Sequence, residues 1–236
     1  MTALLARIVN PVVWRIPGHG ARKLYSFSLA EHGSMLDLKA AARLTASPER
    51  QTLYIRHMLD ETRHAQMFAL RSAELRAEEG AQSFGFPKAD YENLFERLGE
   101  LRFLAFVHRG EKRGRAQFET YRNWFARRDD NKTRALFDAI VRDEKRHETY
   151  TRDILVEMAG SEAAARRELA RAAMWEAWRN WRRFGRFGAE KAYFAVMTAL
   201  YAMLAPFMVV AAFARPARTG WTPPSDEATS GARPIR

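Results

Sequence analysis

Two five-residue stretches carry the residue types that metal chemistry would need. Asp60-Glu61-Thr62-Arg63-His64 and Asp143-Glu144-Lys145-Arg146-His147 share the pattern Asp-Glu-x-Arg-His. On a helix, residues three apart lie on one face, one turn apart, so each Glu-x-x-His offers a carboxylate and an imidazole to a common ion. Oxygen ligands that can bridge, with one nitrogen per metal, suit iron or manganese. A single Glu-x-x-His is common as a helix salt bridge. Two copies that both extend to the same five-residue pattern are not. The added residues have a physical use, because a ligating histidine needs its second ring nitrogen anchored, usually by a carboxylate that itself needs a cation nearby. Asp60, Asp143, Arg63 and Arg146 are the candidates for that supporting layer.

The elements that must position these residues are helices. Apolar stripes of helical period are frequent and β-branched runs are scarce. Helices are predicted over 21–45, 48–79, 100–127 and 131–158, with a short one over 90–98. Ser47-Pro48-Glu49 is a strong helix start, and Asp129 or Asp130 caps the fourth long helix. In an antiparallel hairpin, residues equally far from the turn lie level. Glu61 and His64 lie 14 and 17 residues beyond Ser47, and Glu31 lies 16 before it. Glu144 and His147 lie 15 and 18 beyond Asp129, and Glu111 lies 18 before it. Glu119 is eight residues nearer that turn, about 12 Å away along a helix. Both hairpins therefore repeat one plan, a glutamate and then Glu-x-x-His, giving four carboxylates and two imidazoles.

This pattern resembles the ferritin-like di-iron carboxylate superfamily across residues 21–158. The run Asp143-Glu144-Lys145-Arg146-His147-Glu148 is similar to the second iron motif of the plant acyl-carrier-protein desaturases. The resemblance implies a four-helix bundle holding two iron ions, with manganese or a mixed Fe/Mn pair as the variants. Glu61 and Glu144 would bridge, Glu31 and His64 would complete one metal, and Glu111 and His147 the other. It also implies O2 activation for hydroxylation or desaturation, or alternatively a ferroxidase or peroxidase role in iron handling. Bundles of this kind run their second and third long helices parallel. The connection must then return about 40 Å, which residues 80–99 can span if half helical and half extended.

Other histidines carry weaker expectations. His57 and His108 each sit one turn before a candidate ligand; they read as satisfied core or surface residues, the alternative being that either lines the substrate side. His32 points about 100° away from Glu31 on the helix. His19 lies in a Pro-Gly-His-Gly loop, and Tyr54, Phe68, Phe118 and Tyr150 read as core.

Composition bounds the rest. The absence of cysteine excludes disulfides, iron–sulfur clusters and thiol catalysis, so electrons must come from an external donor of the ferredoxin/reductase type. The net charge of +11 suits nucleic acid, anionic lipid or an acidic carrier protein. Its position beside an apolar segment favours the latter two over nucleic acid. Residues 1–20 read as an interfacial segment, 162–187 as a basic, Trp-rich amphipathic helix, 188–214 as a hydrophobic membrane helix and 215–236 as a disordered tail. Residues 192–214 are uncharged and long enough to span a bilayer, the alternative being a fifth core helix. Trp175, Trp178 and Trp181 among arginines suit an anionic interface, and the excess of Arg and Lys before the segment places the bundle on the cytoplasmic face. Ala195, Ala199 and Ala202 form a small-residue stripe that could seat a second copy, giving a homodimer.

Overall fold

The computed structural model describes residues 16–80, 91–128 and 130–214. The expectations for the amino-terminal segment before residue 16 and for the tail from 215 lie outside the described residues. Those residues form six helices and no strand: α1 (His19–Leu44), α2 (Pro48–Glu78), α3 (Leu94–Leu98), α4 (Glu100–Ala126), α5 (Asn131–Ala159) and α6 (Glu162–Ala214).

Local chemistry sets the ends. The Ser47 hydroxyl accepts from Arg50 N–H at 3.2 Å, with Pro48 in the first turn. Asp130 caps α5 by accepting from Thr133 N–H at 2.9 Å. Gly99 joins α3 to α4 at φ 74°, and Gly160 closes α5 at φ 76°. Both have a positive φ that side chains with a Cβ resist, and Gly160 is the left-handed cap of α5.

The four long helices before α6 pack as a bundle of antiparallel neighbours. Ser72 meets Ala21 and Gln51 meets Ala42, so α1 and α2 run opposite ways. Arg122 faces Asp138 while His108 reaches Thr151, so α4 and α5 do the same. Helices α2 and α5 are antiparallel too, with Arg71 on Thr133 at one end and His57 on Tyr150 at the other. Tyr54 packs on Phe103 and Phe68 on Phe118, which makes α2 and α4 parallel.

Two apolar clusters fill the interior on either side of its middle. One gathers Phe27, Phe68, Phe118, Tyr121, Phe125 and Phe137; the other gathers Leu38, Tyr54, Phe95, Phe103, Leu104 and Leu155. Phe137 is fully buried and its ring meets Phe27, Phe68, Phe118, Tyr121 and Phe125. Cutting Phe137 to alanine is expected to lower the unfolding free energy by about 3–5 kcal/mol, because a cavity is added to the lost transfer energy. Urea denaturation followed by circular dichroism measures it.

The described residues divide into two compact units, one ending at Trp178 and the other beginning at Arg179. Within the first, the opening turns of α6 pack on the bundle through Ala165, Leu169, Ala172 and Trp175. Trp175 stacks edge-on against Phe106, with ring centroids 5.5 Å apart, and Glu176 pairs with Arg109 and Arg113. Trp175 is thus a docking residue of the bundle rather than a membrane flank. Spacing alone groups it with Trp178 and Trp181, which are exposed.

The segments read separately as 162–187 and 188–214 form one continuous helix. Gly185 and Gly188 sit inside it without ending it, since an isolated glycine weakens a helix by only about 1 kcal/mol. In the second unit, α6 is long and apolar enough to cross a membrane, and none of its most apolar window is buried. Tyr193, Phe194, Tyr201, Phe207 and Val210 all stand exposed.

Candidate metal centre

Helices α2 and α5 bring their Asp-Glu-x-Arg-His stretches face to face, and the support between them is crossed. His64 Nε2–H donates to Asp143 at 3.2 Å, and His147 Nε2–H donates to Asp60 at 3.1 Å. Each aspartate therefore anchors the histidine of the opposite helix. Arg63 bridges Asp60 at 2.9 Å and Asp143 at 2.5 Å, while Arg146 bridges Asp60 at 2.7 Å and Asp143 at 2.9 Å. The half-exposed guanidiniums and the two aspartates make a closed ring of ion pairs on the solvent side of the histidines.

With Nε2 committed to aspartate, the Nδ1 lone pair of each imidazole turns inward. His64 Nδ1 lies 3.8 Å from Glu61 Oε1 and 3.6 Å from Glu144 Oε1. His147 Nδ1 lies 3.5 Å from Glu61 Oε1 and 3.6 Å from Glu111 Oε2. Neither Nδ1 has a hydrogen-bond partner, nor do Glu61 Oε2 and Glu144 Oε1, and all four atoms are buried. Buried polar atoms are ordinarily satisfied. Acceptor atoms that converge without a donor among them are what a cation site requires.

Glu31 from α1 and Glu111 from α4 complete the cluster. Glu31 lies beside Glu61, and Glu111 beside Glu144. Two groups of donors result, each offering one ligand atom per residue, all within 4.8 Å of one another: Glu31, Glu61, His64 and Glu144, and His57, Glu61, Glu111 and His147. Donors around one six-coordinate ion with bonds near 2.1 Å stand about 3 Å apart. The buried group can hold a metal ion, and Glu61 belongs to both halves.

Electrostatics point the same way. Burial, and then the charges of Glu31 and Glu111, push Glu61 well above the usual carboxylate range. Burial, and then the same two neighbours in the other order, do the same to Glu144. Burial raises Glu31 as well, while Glu111, against its own burial, is held down to about 2 by His57 and His147; the three raised carboxyls resist simultaneous ionisation unless cations join them. Burial also lowers His57 to about 3, so its imidazole is neutral and able to donate a lone pair.

No family model matches the chain, and no curated protein or solved structure does either. The centre is therefore read on its own atoms.

All ten residues singled out from the sequence gather here: the six candidate ligands inside and Asp60, Asp143, Arg63 and Arg146 around them. Sequence reasoning missed His57. It is buried, with Nε2 3.1 Å from Glu61 Oε1 and 3.5 Å from Glu111 Oε1. The signal was present in the spacing, since positions 57, 61 and 64 follow the i, i+4, i+7 rule for one helix face. His108, by contrast, is satisfied structurally by the Glu148 carbonyl and the Thr151 hydroxyl, each at 3.1 Å. His32 is exposed. Gly114 lets α4 approach the centre, for a Cβ there would stand 3.3 Å from Glu144 Oε2.

Proposed function

We propose that this chain is a membrane-associated, ferritin-like, non-haem di-iron oxidoreductase that uses O2 to hydroxylate or desaturate a lipid-like or acyl-carrier-bound substrate. The observation that carries the reading is the convergence of carboxylate and imidazole groups from four helices, with orphaned, buried atoms on Glu61, His64, Glu144 and His147. In it, Glu31, His64 and Glu144 would hold one iron and Glu111 and His147 the other, with Glu61 serving both. An iron pair bound there would supply the electrons for reducing O2 to an oxidant able to attack an unactivated C–H bond.

The chain's own residues supply placement and exclusion of water. Asp60 and Asp143 fix the imidazole tautomers, so that both Nδ1 lone pairs face inward. The two apolar clusters keep bulk water from both ends of the centre. The exposed apolar stretch of α6 supports a membrane location and hence a lipid-like substrate, with an acidic carrier protein as the soluble counterpart. With no cysteine to ligate iron, the reductant is an external ferredoxin or reductase.

The test is aerobic turnover of iron-loaded, full-length protein with reductant and anionic lipid vesicles, followed by mass spectrometry of the lipids. Iron-dependent O2 uptake coupled to an oxygenated or newly unsaturated lipid supports the proposal. Uptake without any organic product supports iron handling instead. A purified protein that takes up no transition metal sinks both.

A further inference from the structure

His57 departs from the two-histidine plan that the repeated stretches set out. Its Nε2 faces the same space as the His147 Nδ1. Each of these nitrogens addresses one oxygen of Glu111, His57 at 3.5 Å from Oε1 and His147 at 3.6 Å from Oε2, and both also face Glu61 Oε1, at 3.1 and 3.5 Å. The two imidazoles lie against each other with centroids 3.7 Å apart. A surface or core histidine has no need of such company. Two adjacent nitrogens flanking one carboxylate are donors around a single point.

The other ring nitrogen is also provided for. His57 Nδ1 lies 2.5 Å from the Tyr150 hydroxyl. A phenol can donate or accept, so Tyr150 serves either tautomer of His57. When Nε2–H donates to Glu61, the phenol donates to Nδ1. When Nε2 turns its lone pair to an ion, Nδ1–H donates to the phenol oxygen. Tyr150 thus plays for His57 the part that Asp60 plays for His147, but without charge, which keeps this imidazole a neutral ligand.

Resting on the dimetal reading above, we propose that His57 is a third histidine ligand and Tyr150 its positioning residue. One metal position is then held by His57, His147, Glu111 and Glu61. The other is held by His64, Glu31, Glu61 and Glu144. The first has two nitrogens and two carboxylates, the second one nitrogen and three carboxylates. The positions are chemically unequal although the two helical stretches that build them repeat. Nothing opposite His57 restores the balance: the residue four before Glu144 is Ile140, which is buried among the phenylalanines. The nitrogen-richer position favours iron, whereas the carboxylate-rich one accepts manganese as readily.

The experiment is anaerobic titration of metal-free, full-length protein with 57Fe(II), read by metal content and Mössbauer spectroscopy. Wild type is expected to bind two ions and show two distinct doublets of equal area. H57A should weaken one ion by at least about tenfold, the scale seen even for supporting groups around metals, and erase one doublet while leaving the other in place. Y150F should keep both ions and shift only the doublet that H57A erases, which a merely structural tyrosine would not do. E31A should weaken the other ion and spare that doublet.

If H57A is poorly helical by circular dichroism, H57Q and Y150F decide the matter in its place. Two ions with both doublets unmoved in H57A, or in H57Q and Y150F together, would overturn the role of His57. A wild type that binds no iron fails the dimetal reading itself, and is thereby distinguished from failure of this inference.

Discussion

Glu61→Ala is expected to remove both metal ions, not one. Glu61 is the only residue common to the two donor groups, and its side chain is almost completely buried. Losing it leaves each group with three donors and strips the carboxylate that the two positions share. Metal content by mass spectrometry should fall from about two ions per chain toward none. Glu31→Ala, which touches one group only, should retain about one.

The same substitution has an opposite consequence for the metal-free protein. Burial, and then neighbouring carboxylates, raise Glu61 above its ordinary range. A raised acid contributes stability below its ordinary value and loses it as pH rises through the raised one. Metal-free wild type should therefore lose stability from mildly acidic to neutral pH, and metal-free Glu61→Ala should lose less. Thermal melts from pH 5 to 8 with a chelator present test the sign. A variant that loses metal and also melts lower at every pH would mean that Glu61 is a packing residue.

The second large effect is expected at Asp60. Asp60→Asn keeps the size of the side chain but removes the acceptor that fixes the His147 tautomer, since an amide can present a donor instead. It also breaks two of the four ion pairs in the Asp–Arg ring, those to Arg63 and Arg146. Metal affinity at the His147 position should drop about 10–100-fold, the usual cost of losing a histidine's anchor. The position held by His64 should be spared, although His64 is Asp60's own neighbour in sequence. Competition against a chelator, with Asp143→Asn as the mirror case, separates the two positions. Equal loss at both would contradict the crossed arrangement.

Much of the site was legible because the hairpin turns were. Ser47-Pro48 and Asp129-Asp130 are strong helix starts, so counting outward from Ser47 and Asp129 could find Glu31 and Glu111 without any motif. His57 was not legible in that way. It obeys the same helical spacing, but a lone histidine on an apolar face is usually structural, and only the facing Glu111 and Tyr150 give it a role. Nor was the crossing legible, because Asp60 lies within reach of either histidine along the chain and only docking of α2 on α5 decides. Trp175 shows the same limit from the other side. Aromatic and arginine residues look alike in sequence whether they meet a bilayer or the flank of a bundle. The ferritin-like label rests on the resemblance, while the helical bundle and its cluster stand on the structure.

The crossed anchors bear on how such a chain can change over evolutionary time. A substitution at Asp60 is felt first by His147, 87 residues away, and one at Asp143 by His64, 79 residues away. Neither hairpin can drift on its own, since each holds the other's imidazole in register. Among related sequences, the correlated substitutions should therefore pair position 60 with 147 and 143 with 64, not the members of each five-residue stretch with one another. A half-length ancestor of this plan would have needed a second copy of itself to be complete.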